Sequence, residues 1–214
     1  MLKKIIATIE KYGMLNDVRK VTVALSGGAD SVCLLSVLNE LKDKYGYALS
    51  AVHVNHQLRG DESERDERFT VKLCEQFSVP ITVERIDVKA LSEEKKESIE
   101  LVARNARYDL FKTVGDGGVV ATAHTADDNL ETVLYNTIRG SGLKGICGIP
   151  PKRDIFIRPL ILTTRKAIEE YCALKNIKYV TDSTNLEDCY TRNKIRHNVI
   201  PVLKEINPNV SGTV

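Results

Sequence analysis

Apolar residues recur at helical spacing at the start of the chain, at Leu2, Ile5, Ile6 and Ile9, and Gly13 ends that helix. The period then changes. Val21, Val23 and Leu25, with Ala24 between them, read as a strand buried on both faces, as a parallel sheet requires. Leu34, Leu35, Leu38 and Leu41 mark a crossover helix that opens near Ser31 and stops before Gly46, and Tyr47 to Val54 is a second strand. A charged surface helix is expected from Arg59 to Val79, with Phe69, Leu73, Cys74 and Phe77 on its apolar side. A third strand follows at Ile81 to Val88. Ile99, Val102, Ala103, Ala106, Leu110 and Val114 line a longer helix stopped by Gly115, Gly117 and Gly118. Val119 to Ala123 is a fourth strand, and Leu130, Val133, Leu134 and Ile138 a further helix ended by Arg139-Gly140.

Four strand–helix alternations predict an α/β fold, a doubly wound and mostly parallel sheet with helices on both faces. Past Gly140 the composition shifts to a long Gly- and Pro-containing loop, then a candidate strand at Ile155 to Ile161 and a helix from Thr164 to Lys175. A last helix from about Thr191 to Glu205 is expected to bend at Pro201. Residues 1–150 therefore read as a nucleotide-binding α/β domain, and 151–214 as its final strand and a helical extension. The ending, Asn207 to Val214, reads as a turn toward a further segment.

Ligands of such sheets bind at the carboxyl ends of the strands. Three polar clusters fall there. The first, Ser26-Gly27-Gly28-Ala29-Asp30-Ser31, joins a strand to a helix, which gathers unpaired N–H groups at the positive end of a helix dipole and suits phosphate. It lacks the Gly-x-x-x-x-Gly-Lys-Ser/Thr of a Walker loop and the Gly-x-Gly-x-x-Gly of a dinucleotide fold. With no lysine in the loop, charge balance points to a divalent ion, Mg²⁺, held by Asp30, whose plainer alternative is a helix cap. The second cluster is His53-Val54-Asn55-His56. The third runs from His124 to Thr132, where Asp128 and Glu131 share a helix face and His124 precedes them. Acids in a first turn are favoured by the dipole alone, but His124 beside them suggests a site for a cation, a metal or an amine.

Two further groupings are weaker. Glu100, Arg104 and Tyr108 lie one turn apart, as a surface ion pair also would. Arg192, Lys194, Arg196 and His197 place cations at one helix start, with Arg192 and Arg196 on one face, suited to phosphate or nucleic acid. Net charge is only +2, yet seven basic residues against one acid lie between Arg139 and Lys166, and eight against twelve between Arg59 and Glu100. That asymmetry suits an anionic ligand on one side, though a basic loop is commonly just solvated. Five cysteines, without a Cys-x-x-Cys, argue against a disulfide framework, a zinc ribbon or a cysteine-held cluster. Without a signal-peptide pattern or a membrane-length apolar run, a cytoplasmic setting is expected.

These residues resemble a known family. Ser26 to Ser31 is similar to the SGGxDS loop of N-type ATP pyrophosphatases. His53 to Arg59, Glu100 to Tyr108, Thr122 to Thr132, Arg139 to Gly145, Arg158-Pro159-Leu160, Asp182 to Asn185 and Tyr190 to Arg196 together look like tRNA(Ile)-lysidine synthetase. The resemblance implies an adenine nucleotide alpha hydrolase-like fold. It also implies a ligase that adenylates the wobble cytidine of tRNA(Ile) with a CAU anticodon, then joins L-lysine to its C2. Carried over by motif position, Ser26, Gly27, Gly28, Ala29, Asp30, Ser31, His53 and Asn55 bind ATP, and Asp30 holds Mg²⁺. Asp30, Arg104, His124, Asp128, Glu131 and Arg196 carry the chemistry. Partners implied are the tRNA, ATP and L-lysine, with a homodimer as one assembly, no membrane, and tRNA-gripping domains beyond the present end. Rival readings are a tRNA cytidine thiolase, which would need paired cysteines, and an ATP-sensing module without turnover. Asn129 stands where the family often has Gln.

Overall fold

The computed structural model describes residues 1–181 and 191–213. A six-stranded sheet has the order β3-β2-β1-β4-β6-β5, in which β1 (Lys20–Ala24), β2 (Ala48–Asn55), β3 (Ile81–Arg85), β4 (Val119–Ala121) and β6 (Phe156–Ile157) are parallel. The two-residue β5 (Lys152–Arg153) runs antiparallel to β6 at the edge. The register is fixed by pairs such as Val23 with Ala51 and with Ala121.

Alternation along β1 sends its side chains to two helical layers. Val21 and Val23 join Ile5 and Ile9 of α1 (Leu2–Lys11), Leu34, Leu35 and Leu38 of α2 (Ala29–Tyr45), Leu73 of α3 (Asp61–Gln76) and Ile168 of α8 (Arg165–Leu174) in one buried cluster. On the other face Val52, Val120 and Phe156 pack on Phe111 of α5 (Ile99–Val114). Between the layers, Thr22 bonds Ser50 within the sheet (Oγ1···Oγ 3.0 Å). Doubly wound packing is thus observed, and it explains why Val21 to Ala24 are small or apolar on both faces, with Thr22 the one polar residue and bonded within the sheet.

The departures from the expected elements have local causes. The third strand ends at Arg85 because Asp87 caps a helix not anticipated, α4 (Val88–Lys95), by accepting from Ala90 N at 3.0 Å, while Val88 turns into the core. The last parallel strand is two residues long: Arg158 N is spent on Pro151 O, Pro159 has no N–H, and Ile161 N closes a turn on Arg158 O. The glycine-rich loop contains one helical turn, α7 (Leu143–Ile146), after α6 (Ala126–Ile138).

The final helix is not simply bent at Pro201. A first turn, α9 (Thr191–Lys194), passes through a π-helical segment at Ile195–Val199, and Pro201 then sits at the start of α10 (Ile200–Ile206), where its missing N–H costs little. A last turn, α11 (Val210–Thr213), folds back toward α6. Leu130, Ile195 and Ile200 make a third small core there. The motif at Asp182 to Asn185, Cys189 and Tyr190 lie outside the described residues, as does the Arg192 side chain. No helix among the described residues is long and apolar enough to cross a membrane.

Candidate active site

Strand order reverses direction at β1, whose neighbours are β2 on one side and β4 on the other, so the loops after β1 and β4 flank a crevice. Ser26 to Ser31 is the first of these loops. Gly27 holds φ at +92°, its carbonyl accepts from Val180 N at 3.0 Å, and a Cβ there would lie 2.9 Å from Val180 Cγ2. Glycine is therefore required by both conformation and space. Ser31 Oγ organises the turn, accepting from Ser26 N (3.2 Å) and Gly27 N (3.1 Å) and donating to Gly28 O (3.0 Å). Helix α2 has no side-chain cap at Gly28, so the first-turn N–H groups of Ala29, Asp30 and Ser31 are the orphan donors of a 17-residue helix.

Asp30 is therefore not the cap of α2. Its Oδ2 accepts from Arg165 Nη1 at 2.6 Å, whereas Oδ1 is buried with no partner among the described residues. Burial outweighs Arg165 and pushes the Asp30 carboxyl up to about 6. One carboxylate with a free buried oxygen, beside the uncapped N–H groups of α2, suits Mg²⁺, which takes one or two carboxylates and fills its shell with waters and phosphates. No group of three or more metal-ligating side chains occurs among the described residues.

At the end of β4, Thr122 Oγ1 lies 3.0 Å from His124 Nδ1 and fixes the ring. Burial, and then Arg158, Arg107 and Arg104 against the opposing pull of Asp128, lower the His124 pKa to about 4, so the imidazole is neutral. Thr125 caps α6 through a capping box with Asp128: Thr125 Oγ1 accepts from Asp128 N, and Asp128 Oδ2 accepts from Thr125 N at 2.8 Å. One turn on, Glu131 is buried and gripped at both oxygens by Arg196, from Nε at 2.6 Å and Nη2 at 3.0 Å. Arg196 Nη2 also comes within 3.8 Å of Asp128 Oδ1. The fold thus joins Asp128 and Glu131 to Arg196, which lies 65 residues beyond Glu131, into one charged unit.

The second cluster supports the crevice from beneath. His53 is buried, its Nδ1 2.9 Å from Leu25 O, tying β2 to the end of β1 where the phosphate loop begins. Asn55 spends its amide on Glu67 (Nδ2 to Oε2, 2.8 Å) and on Gln57 N, which donates to Oδ1 at 2.9 Å. Arg104 makes no ion pair with Glu100; its guanidinium lies 5.1 Å from the Tyr108 ring centre, and that ring meets Phe156 edge-on at 5.2 Å.

Four residues not singled out for the site also belong to it. Asp127 accepts from Arg165 N at 2.7 Å, Ser211 Oγ at 2.9 Å and Lys204 Nζ at 3.2 Å; against the upward push of burial, these donors hold its carboxyl below the ordinary range. It pins α8, α10 and α11 to α6. Arg165 turns inward to Asp30, and Arg158 is buried with its Nη1 on Pro150 O at 2.7 Å. Arg107 is half-buried. The excess of basic residues between Arg139 and Lys166 was the only sequence signal for Arg165; Arg158 was marked further by the Arg158-Pro159-Leu160 motif, which gave it no role.

The sequence pattern of the PP-loop domain family matches residues 1–203. Similar curated proteins named tRNA(Ile)-lysidine synthase come from Clostridium perfringens, 42% identical over all of this chain and 47% of the relative, and Parabacteroides distasonis, 45% identical over all of this chain and 49% of the relative. The chain spans about half the length of the curated relatives it matches. Among solved structures, a U34-tRNA thiolase from Methanococcus maripaludis superposes with a TM-score of 0.79 at 20% identity, covering 98% of this chain and 74% of that one. An NH3-dependent NAD synthetase from Campylobacter jejuni gives 0.59 at 15%, covering 99% and 85%. These two likenesses show the fold. The chain belongs to the PP-loop domain family, and its match to tRNA(Ile)-lysidine synthases runs from end to end of this sequence.

Proposed function

We propose that this chain is the catalytic part of an ATP-dependent ligase that joins L-lysine to C2 of the wobble cytidine of tRNA(Ile) with a CAU anticodon. One observation carries the reading: the phosphate loop after β1 and the His124–Asp128–Glu131–Arg196 cluster after β4 face each other across the strand-order reversal. A nucleotide held at the first would present its α-phosphate toward the second. The names of the full-length relatives point the same way.

In this reading the first-turn N–H groups of α2 hold the ATP phosphates, and Asp30 Oδ1 holds Mg²⁺, which when bound neutralises charge on the phosphates. Cytidine O2 attacks the α-phosphorus, the bond to the β-phosphate oxygen breaks, and pyrophosphate leaves. The lysine ε-amine then attacks C2, the C2–O2 bond breaks and AMP departs with that oxygen. The amine proton passes to a carboxylate. Asp128 Oδ1 suits this better than Glu131, because both Glu131 oxygens are occupied by Arg196. Neutral His124, fixed by Thr122, orients the reacting base, and Arg104 steadies the phosphate or the cytosine oxygen. His53 acts through the end of β1 that it braces, and Asn55 through its hold on Glu67 and on the Gln57 backbone. Fixed charges and dipoles supply most of the acceleration.

The thiolase alternative is less favoured: Cys33, Cys74 and Cys172 are buried and Cys147 is exposed, with no Cys-x-x-Cys in the chain. The test is incorporation of labelled lysine into tRNA(Ile). Pyrophosphate release that needs both ATP and the tRNA, followed by lysine uptake, is expected. Pyrophosphate release without lysine uptake would refute the reading.

A further inference from the structure

Helix α8 starts between the first turns of α2 and α6. Its contacts with α6 are reciprocal: Ala126 N, the first amide of α6, donates to Thr163 O at 3.0 Å, and Arg165 N, the first amide of α8, donates to Asp127 Oδ2 at 2.7 Å. Each helix thus has one of its orphan donors satisfied across the junction. From the same residue a side chain reaches α2, with Arg165 Nη1 on Asp30 Oδ2 at 2.6 Å and Nε held by Glu169 at 2.7 Å. Arg165 therefore meets the carboxylate of the phosphate loop with its guanidinium and Asp127 with its backbone. Asp127 carries the connection onward: its Oδ1 accepts from Ser211 Oγ at 2.9 Å and from Lys204 Nζ at 3.2 Å, fastening α11 and α10 to α6. The apolar hold on those helices is light. Ile195 and Ile200 pack on Leu130, while Val202 and Ile206 stay 53% and 80% exposed. A segment with so few buried apolar contacts opens at a fraction of the global stability. Arg196, which grips Glu131, belongs to that segment.

We infer that Arg165 is a positioning residue that couples the nucleotide site to the docking of the last helices. In the docked state Asp127 is held on both oxygens and fixes the start of α8, so Arg165 holds Asp30 Oδ2 and leaves Oδ1 unbonded for a ligand. In the open state Asp127 loses Lys204 and Ser211, the start of α8 is fixed less firmly, and Asp30 with it. A nucleotide with Mg²⁺ needs Asp30 in place and therefore favours docking, which brings Arg196 onto Glu131. The effect is mutual by linkage: the factor that docking contributes to nucleotide affinity is the factor that the nucleotide contributes to docking. This rests on the nucleotide and Mg²⁺ sites of the reading above, not on its lysine step.

The test uses the whole 214-residue chain with a non-hydrolysable ATP analogue and Mg²⁺. Hydrogen exchange is followed over residues 200–213 with and without saturating analogue, and calorimetry gives its affinity. In the wild type the analogue should slow exchange over 200–213 by about fivefold or more. K204M, altered at a half-exposed side chain outside the nucleotide site, should weaken the analogue by about threefold or more. R165M keeps the backbone bond to Asp127 and cuts only the link to Asp30. It should weaken the analogue by about 10–100-fold, as loss of an outer partner does to a ligating carboxylate. It should also abolish the slowing over 200–213 and make K204M silent, so that R165M and the double variant bind alike. R165K keeps the charge but not the fork that spans Asp30 and Glu169, and should restore part of the slowing. Unchanged exchange in β1 and β2 shows that each variant is folded.

Exchange over 200–213 that ignores the analogue in the wild type overturns the inference. So does a K204M penalty as large in the R165M background as in the wild type. Should R165M unfold, the R165K background decides in the same way: a reduced K204M penalty supports the coupling and a full one refutes it. A wild type that does not bind the analogue refutes the nucleotide site itself, a failure that calorimetry alone separates from the others.

Discussion

Replacing Asp30 with Asn should make the protein more stable and unable to hold Mg²⁺ with its nucleotide. The carboxyl sits at about 6 instead of 3.8 because burial removes water from it faster than Arg165 compensates. At roughly 1.4 kcal/mol per pKa unit, keeping it ionised at pH 7.5 costs on the order of 3 kcal/mol. D30N removes that cost, and for a chain of this size the melting temperature should rise by roughly 5–10 °C.

The pH dependence has a definite sign. Between pH 3.8 and about 6 the folded protein binds a proton at Asp30 more readily than the unfolded chain does, so this group's contribution to stability grows as pH falls through that window. Buried His56 and His124, both lowered to about 4, act oppositely: below their ordinary 6.5 the unfolded chain takes up protons first, and stability falls as pH falls. The readout is therefore the difference between wild type and D30N, from which the histidines cancel. Urea unfolding at pH 7.5, 6 and 5 should show a gap favouring D30N that shrinks steadily toward acid. A constant gap, or none at pH 7.5, would refute the assignment of Asp30 as a strained carboxylate.

E131Q should lower stability by about 2 kcal/mol, less than the ~3–5 expected for a fully buried pair because the Arg196 side chain is 39% exposed; chemical denaturation of E131Q, R196Q and the double variant should show coupling, and additive losses would deny it. G27A combines a positive φ with a Cβ 2.9 Å from Val180, so a loss of about 1–3 kcal/mol and of nucleotide binding is expected by calorimetry. D127A removes the acceptor shared by Arg165 N, Lys204 and Ser211, so hydrogen exchange in α10 and α11 should accelerate while that of β1 and β2 stays unchanged.

Much of the scaffold was legible because periodicity reports burial. Val21 to Leu25 and the spacing of Leu34 to Leu41 could satisfy few arrangements other than a central parallel strand and its crossover helix. The phosphate loop was legible because glycine at a strand–helix junction has few other uses. Charge was harder. Glu131 read as part of the His124–Asp128 cluster and Arg196 as part of a separate cationic helix start, and only the return of the last helices onto α6 shows the two as a pair. Arg165 read only as one member of a basic run, and Arg158 as part of a motif without a role, since sequence spacing carries no information on which cation a turn directs inward. Likewise α4 was missed because its start depends on a single capping contact at Asp87.

Asn129 looked like a minor departure, and the fold gives it a neighbour. Its Oδ1 accepts from Ile149 N at 2.7 Å, and Gly148, at φ +68°, leaves that amide room: a Cβ there would stand 2.2 Å from the same oxygen. The two positions, nineteen apart, behave as a lock and its key. A longer amide at 129 would demand a differently placed 148–149 turn, and any side chain at 148 would demand a shorter residue at 129. Grafting this loop between relatives is therefore a two-site operation, and chimaeras that exchange one position without the other should fold poorly even when every residue is native to one parent.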